Sequence, residues 1–425
     1  MSEKLILDQN PIGEPAAEVL DGRIWVDGCW DFFHHGHAGA MLQARQLGTE
    51  LYVGVHSDES ILENKGPTVM SLEERIIAVN ACKWVTRSIS HAPYVTSLPW
   101  ITHYGCKYVV HGDDITSDSD GQDCYRYVKA AGRFKVVKRT PSISTTDLVG
   151  RMLLCTRTHF IKDLYQLIQD EEDDKPLNEG VYVKKLLQAY ATDETGLNPS
   201  SSVWYWKSIA ETKGEYSEEG GKFTQLTQII DPKPGQRVVY VDGSFDLFSS
   251  GHIEFLRLVI KNEEEIGRKM GWYNEPAVQN RITSTGSDYA PVYVIAGIHN
   301  DEAINRLEGL NYPIMNIVER GLCILQCKYI NSVILGAPTT IFRTYLNSIP
   351  CGTPCAIYHG PNKSDPKIDQ YLVPKQMGIY HEINHHVYSS INASKICQRI
   401  LESRHMYEER QKLKALKSIE EQKPQ

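Results

Sequence analysis

At 425 residues the chain is longer than one ordinary core supports, so two domains with connecting segments are expected. Hydrophobic residues at 41% and charged residues at 23% exclude wholesale disorder, and a formal net charge of -8 gives no general attraction to nucleic acid or anionic lipid. Residues Met1–Gly22 lack the apolar centre of a signal peptide, and no run of about eighteen apolar residues occurs, so a cytoplasmic protein without stable membrane insertion is expected. The ten cysteines are scattered and form no CxxC pair, which points to reduced, mostly buried thiols and to no metal site of the protein's own.

In chain order, Ile24–Val26 reads as a strand, and Ala38, Met41 and Leu42 follow helical spacing up to Gly48. Leu51–Val55 is the next strand, and Ser71-x-x-Glu74 has the form of a capping box opening a second helix. Tyr108–Val110 and Phe134–Val137 are further strands, and Leu148, Val149 and Met152 predict a helix entered at Asp147. Short β-branched runs alternating with helices predict a parallel sheet covered on both faces. Residues 156–236 break this pattern and read as a linker that carries a helix or two: Asp170–Lys175 is acidic, Leu197–Ser202 polar with Pro, and Gly214–Gly221 charged and Gly-rich.

The pattern then begins again. Val26-Asp27-Gly28 and Asp31-Phe32-Phe33 return as Val241-Asp242-Gly243 and Asp246-Leu247-Phe248, Glu74-Arg75 as Glu319-Arg320, Cys82-Lys83 as Cys327-Lys328, and His111-Gly112 as His359-Gly360. So many blocks in one order mark an internal duplication. The expected fold is therefore two tandem doubly wound, Rossmann-like α/β domains, residues 22–155 and 237–403, the second a degenerate copy of the first, with a charged tail at 404–425.

Chemistry is concentrated in Asp31-Phe32-Phe33-His34-His35-Gly36-His37, after a strand and at the opening of a helix. A helix N-terminus offers unpaired N–H groups and a partial positive charge, so such a turn is suited to phosphate. His34 and His37 are then candidate donors to triphosphate oxygens, and Gly36 allows close backbone approach. Arg139 with Ser144, Thr145 and Thr146 outlines a second anion-binding helix start, although Ser144–Asp147 read alone is better taken as a plain cap. Lys65, in Asn64-Lys65-Gly66-Pro67, is a candidate mobile cation. Arg75 reads equally well as a structural partner of a carboxylate and as a nucleotide contact.

The HxGH turn in this setting resembles the cytidylyltransferases of the nucleotidyltransferase superfamily. Asn64-Lys65-Gly66-Pro67, Glu73-Glu74-Arg75, Cys82-Lys83-Trp84-Val85, His111-Gly112-Asp113-Asp114 and Arg139-Thr140 with Ser144-Thr145-Thr146-Asp147 extend the resemblance over roughly residues 24–155. It implies a transferase in phosphatidylethanolamine biosynthesis that joins CTP, accompanied by Mg²⁺, to phosphoethanolamine. Within that reading His34, His37, Lys65 and Arg139 are the expected catalytic residues. Cys29, Trp30, Gly36, His111, Ser144, Thr145 and Thr146 are expected at CTP, and Asp31, Trp84 and Asp113 at phosphoethanolamine. Ser117 stands near the place of an aromatic residue in choline-phosphate enzymes, and a weaker aromatic cage suits a primary ammonium better than a quaternary one.

Phosphocholine or glycerol phosphate as the acceptor remains an alternative, as does a non-catalytic nucleotide-binding regulatory protein. An adenylyltransferase would need another base pocket, and a tRNA synthetase would need a KMSKS-like loop and a basic surface that the sequence lacks. In the second copy Ser249-Ser250-Gly251-His252 replaces the HxGH turn and Val387–Lys395 replaces the rear motif, so no catalysis is expected there. A homodimer is left open.

Overall fold

All five strands of the first domain end on the same side of their sheet. In the computed structural model, which describes residues 15–114, 116–141, 143–169, 179–208, 220–360 and 369–406, these strands are β1 (Leu20–Gly28), β2 (Glu50–Val55), β3 (Arg87–Ser90), β4 (Cys106–Gly112) and β5 (Phe134–Val137). They pair in parallel in the order β3-β2-β1-β4-β5. Ile24, Trp25 and Val26 in the middle of β1 are buried, as a strand covered on both faces requires. The direction of winding reverses between β1 and β4, which opens a crevice beyond their carboxyl ends, where ligands of such sheets bind.

The helices that build the site and the seam are α1 (His35–Arg45), α2 (Asp58–Lys65), α3 (Leu72–Ala81), α4 (Thr145–Leu154), α5 (Glu179–Tyr190), α6 (Ser250–Lys269), α7 (Asp301–Glu308), α8 (Ile317–Leu325) and α9 (Ala393–Glu402). The expected capping box forms at α3, with Ser71 Oγ accepting the Glu74 N–H and Glu74 accepting the Ser71 N–H. Among the described residues no helix is long and apolar enough to cross a membrane.

The second domain contains more than its sequence copy. β6 (Ser202–Ser208), β7 (Gly221–Gln225), β8 (Arg237–Gly243), β9 (Val292–Ile298), β10 (Ser332–Leu335), β11 (Ala356–His359) and β12 (Tyr380–Glu382) form one sheet in the order β12-β11-β8-β9-β10-β6-β7. Strands β8 to β12 repeat the first sheet. β6 adds in parallel to β10, and β7 pairs antiparallel to β6. The linker reading of residues 156–236 is thus corrected: Val203-Trp204-Tyr205-Trp206 is a buried β-branched and aromatic run that extends the sheet. Residues 170–175 and 214–219 of that segment, together with the tail from 407, lie outside the described residues.

The two copies pack face to face about an approximate twofold. α1 packs on α8 and α3 on α6, and one hydrophobic cluster runs through both copies. At its centre Cys82 pairs with Cys327 in an antiparallel bridge, Lys83 N–H donating to Gln326 O and Lys328 N–H to Ala81 O, both at 2.9 Å. Away from the centre, Arg151 grips Glu319 at 2.7 and 2.9 Å, and its counterpart Arg399 grips Glu74 at 2.7 and 2.8 Å. The face that each copy offers is therefore covered by the other copy within the same chain.

Candidate active site

The turn between β1 and α1 is held in a demanding shape. Trp30 and Phe32 have φ of +59° and +47°, left-handed values that bulky side chains rarely adopt, and Phe245 and Leu247 repeat them at +48° and +46°. Between the two left-handed residues, Asp31 is buried and its carboxylate accepts the N–H groups of Val69 and Met70, both at 2.9 Å. That occupancy corrects the expectation that Asp31 binds the amine: the carboxylate fastens the loop behind Lys65 to the phosphate turn. Asp246 does the same for Ile314 and Met315. Arg75, with no such choice left open, is fully buried and donates to the carbonyls of Met70, Cys29 and His56 and to Asp58, a structural role repeated by Arg320.

His34 and His37 stack with ring centroids 3.9 Å apart. The His34 N–H points at His37 Nδ1 at 3.4 Å, which leaves the proton of His37 on Nε2 as an outward donor. His34 is buried, and its ring, which faces the His37 N–H across the helix start, has no further hydrogen-bond partner among the described residues, an arrangement that leaves hydrogen-bonding capacity for a ligand. Burial, then the neighbouring His37, holds His34 well below the usual imidazole value, and burial with nearby Arg139 lowers His37 to about 3. Both rings are neutral donors in the free protein. Gly36 is required here: a Cβ would lie 2.9 Å from the His34 ring and 2.8 Å from Ile143. Trp30, expected at CTP, is instead the wall behind His37, edge-on at 5.5 Å with its indole N–H on Gly54 O. Cys29 contributes its carbonyl to Arg75.

The second helix start lies against the first. Ser144 caps α4 by accepting the Asp147 N–H, Thr145 Oγ1 donates to Asp31 O at 3.4 Å, and Thr146 is half-buried in the same turn. Arg139 is exposed, 3.9 Å from Asp114, and Asp113 accepts the Arg139 backbone N–H at 3.3 Å, which ties the segment after β5 to the end of β4. Arg139 and Lys65 are both near enough for their charge to add to the lowering of His37 that burial begins. Lys65 ends α2, its Nζ 5.7 Å from the Tyr94 ring. His111, at the end of β4, lies 4.7 Å from Tyr125 and within 3.5 Å of Thr116 Oγ1. Ile115, next to Asp114, and Ser142, between Thr140 and Ser144, lie outside the described residues.

Trp84 does not join this group, which corrects its assignment to phosphoethanolamine. It has no exposed surface, meets Tyr190 edge-on at 5.4 Å and donates its indole N–H to Asp193 O, so it packs the seam between the copies. A carboxylate that the motifs did not single out, Asp27, lies at the carboxyl end of β1. It is buried, and its partners are all neutral: Trp25 Nε1 at 2.8 Å, Thr96 Oγ1 at 2.6 Å and Tyr125 Oη at 2.8 Å. His56 is near enough to feel its charge and meets Tyr94, ring centroids 5.2 Å apart. The available signal was the survival of this aspartate and of the distant tyrosine in both copies, as Asp27 with Tyr125 and Asp242 with Tyr371. Among the described residues no group of three or more His, Cys, Asp or Glu is arranged to hold a metal ion.

In the second copy the same geometry survives without the cations. His252 Nδ1 faces the Ser249 N–H, and Asn392 caps α9 where Ser144 caps α4. Yet Ser249 stands for His34, Glu308 ends α7 where Lys65 ends α2, and an exposed Val387 replaces Arg139.

A parallel sheet with a histidine-bearing helix start at its switch point, and a second helix start beside it, defines a nucleotidyltransferase. The cytidylyltransferase-like family profile matches residues 25–151. The chain is 37% identical over 400 residues to the ethanolamine-phosphate cytidylyltransferase of Mus musculus, covering 93% of this chain and 90% of that one. It is 35% identical over 401 residues to the Dictyostelium discoideum protein of the same name, covering 93% and 95%. The likeness to choline-phosphate cytidylyltransferase A of Homo sapiens, 38% over 152 residues, covers 35% of this chain and 41% of that one. The chain belongs to the ethanolamine-phosphate cytidylyltransferase family.

Proposed function

We propose that the first domain joins CTP to phosphoethanolamine, releasing pyrophosphate and CDP-ethanolamine in the cytoplasm for ethanolamine phospholipid synthesis. The observation that carries this reading is the buried His34 ring stacked on His37 at one helix start, with a second helix start beside it that reaches Asp31 O through Thr145. A phosphate oxygen of phosphoethanolamine attacks the α-phosphorus of CTP in line with the departing pyrophosphate. That oxygen is already anionic, so the reaction needs no general base and no covalent intermediate. The protein's task is to position the two substrates and to stabilise charge that builds on the α-phosphate and leaving group. His34 and His37 act as neutral donors that need no proton before binding, and Arg139 and Lys65 supply positive charge. Mg²⁺ arrives on the triphosphate as part of the substrate and keeps several of its waters.

The acceptor's ammonium fits Asp27. A buried carboxylate whose three partners are neutral retains an uncompensated charge, and a primary ammonium has three N–H donors for it and for nearby oxygens. Tyr94 adds an aromatic face. The second domain, without the cations, does not catalyse on this reading. The test mixes the full chain with Mg²⁺, CTP and phosphoethanolamine and follows pyrophosphate release, with ATP, phosphocholine and glycerol phosphate in parallel. Release that is faster with any of those than with the CTP and phosphoethanolamine pair overturns the assignment.

A further inference from the structure

We propose that Arg399, carried by the degenerate domain, is a positioning residue for the Lys65 loop of the first domain. The inference rests on the reading above that Lys65 meets the triphosphate. Lys65 is the last residue of α2, and the chain then turns through Gly66, whose φ is +90°, before returning to α3 at Val69 and Met70. Asp31 holds the N–H groups of that return. Its carbonyl side is held from the other copy: Arg399 Nη1 donates to Val69 O at 3.1 Å.

The same guanidinium forks onto Glu74, Nη1 to Oε2 at 2.7 Å and Nη2 to Oε1 at 2.8 Å, and Glu74 Oε2 accepts the Ser71 N–H at 2.9 Å. One planar side chain thus fastens both the end of the loop and the first turn of α3, a geometry a flexible ammonium cannot reproduce. The Glu74 side chain is only 7% exposed, so water and salt screen the pair little. Tyr388, on the same segment of the second domain, hydrogen-bonds Glu73 in the adjoining position.

The opposite direction shows what this contact is for. Arg151 of the first domain forks onto Glu319 and donates to Ile314 O at 3.0 Å, the mirror image of the Arg399 contacts. The loop it holds follows Glu308 rather than a lysine. Of two equivalent clamps, the one made by Arg399 secures a loop that starts from a cation. The second copy therefore acts on the first cleft without contributing a group to the reaction.

The experiment measures kcat and both KM values for the full chain carrying Arg399→Met, Arg399→Lys, Lys65→Ala, and Lys65→Ala with Arg399→Met, alongside thermal melts. Arg399→Met should raise the KM for CTP about tenfold, the scale of one lost hydrogen bond to a charged group, and leave the KM for phosphoethanolamine unchanged. Arg399→Lys should recover part of the loss. In the Lys65→Ala background the same Arg399 change should add less than about twofold, because two residues acting through one contact are not additive. An unchanged KM for CTP, or effects of Lys65 and Arg399 that multiply in full, overturns the inference. Should Arg399→Met fail to fold, Arg399→Lys takes its place in the same double-mutant comparison. If Lys65→Ala alone leaves the KM for CTP unchanged, the site reading itself fails; if Lys65→Ala raises it and Arg399 does not, only this inference fails.

Discussion

Asp31 accepts the backbone N–H of Met70 at 2.9 Å, and Asp246 holds Met315 in the same way and at the same distance. A contact kept in both copies, one with His34 and Lys65 and one with Ser249 and Glu308 in their places, belongs to the architecture of the turn. It fixes where His34 stands relative to the loop that brings Lys65.

The Asp31→Asn variant tests that relationship. An amide keeps one acceptor and turns an N–H₂ toward the other backbone N–H, which leaves a buried donor without a partner. A loss of about 1–3 kcal/mol is expected, read as a lower urea midpoint, together with a raised KM for CTP. Unchanged stability would show that the turn does not depend on this carboxylate.

Removing a phosphate donor should act on turnover more than on folding. His37→Ala is expected to lower kcat by about a hundredfold or more, the scale of a lost oxyanion donor. The Nδ1 cap goes with it and costs about 1 kcal/mol, small enough for the far-ultraviolet circular dichroism to remain native. Near-normal turnover would remove His37 from the machinery.

Asp27→Asn separates the two substrates. Loss of the buried charge should raise the KM for phosphoethanolamine about tenfold or more, the scale of a truncated charge-assisted contact, with the KM for CTP little changed. A rise confined to CTP would move the amine pocket elsewhere.

A pH experiment addresses the second cleft. Asp242 has lost the donors that serve Oδ2 of Asp27: Ile341 stands for Thr96, and Tyr240 turns its hydroxyl to Tyr345. Burial, eased by the Tyr371 hydroxyl, pushes the Asp242 carboxyl from 3.8 up to about 7. Because the folded state binds this proton more tightly, the contribution to stability is complete below the unfolded value and is lost as pH rises through about 7. Asp242→Asn should therefore gain on the parent chain by about 1–3 kcal/mol between pH 5 and pH 8. The buried histidines away from this carboxylate, which shift stability in the opposite sense, cancel in that comparison; His299, whose Nε2 lies 4.0 Å from Asp242 Oδ2, does not. A gain that is flat with pH would show that Asp242 is not the titrating group.

The parts of the site that a local pattern defines were legible in the sequence. The HxGH turn, the Ser71 box and the rear Ser144 cap each join a strand or loop to a helix within a few residues, and the duplication exposed the common frame. Asp27, Thr96 and Tyr125 escaped because the sheet gathers them from three separate crossings, and nothing in their local sequence shows that they converge. Trp84 misled for the converse reason: an aromatic residue beside a family motif reads the same whether it lines a cleft or, as here, fills a seam. β6 hid in the apparent linker because residues 209–219 separate it from its hairpin partner, and that partner, β7, is half exposed.

The hydrophobic cluster that passes without interruption from Met41 through Cys82 and Cys327 to Leu256 makes the two copies one cooperative unit. Pulling the halves apart would expose apolar surface of both to water, so neither is expected to unfold before the other. Heating the full chain should give a single calorimetric transition whose van't Hoff and measured enthalpies agree. The first domain then owes its thermal endurance to the copy packed against it.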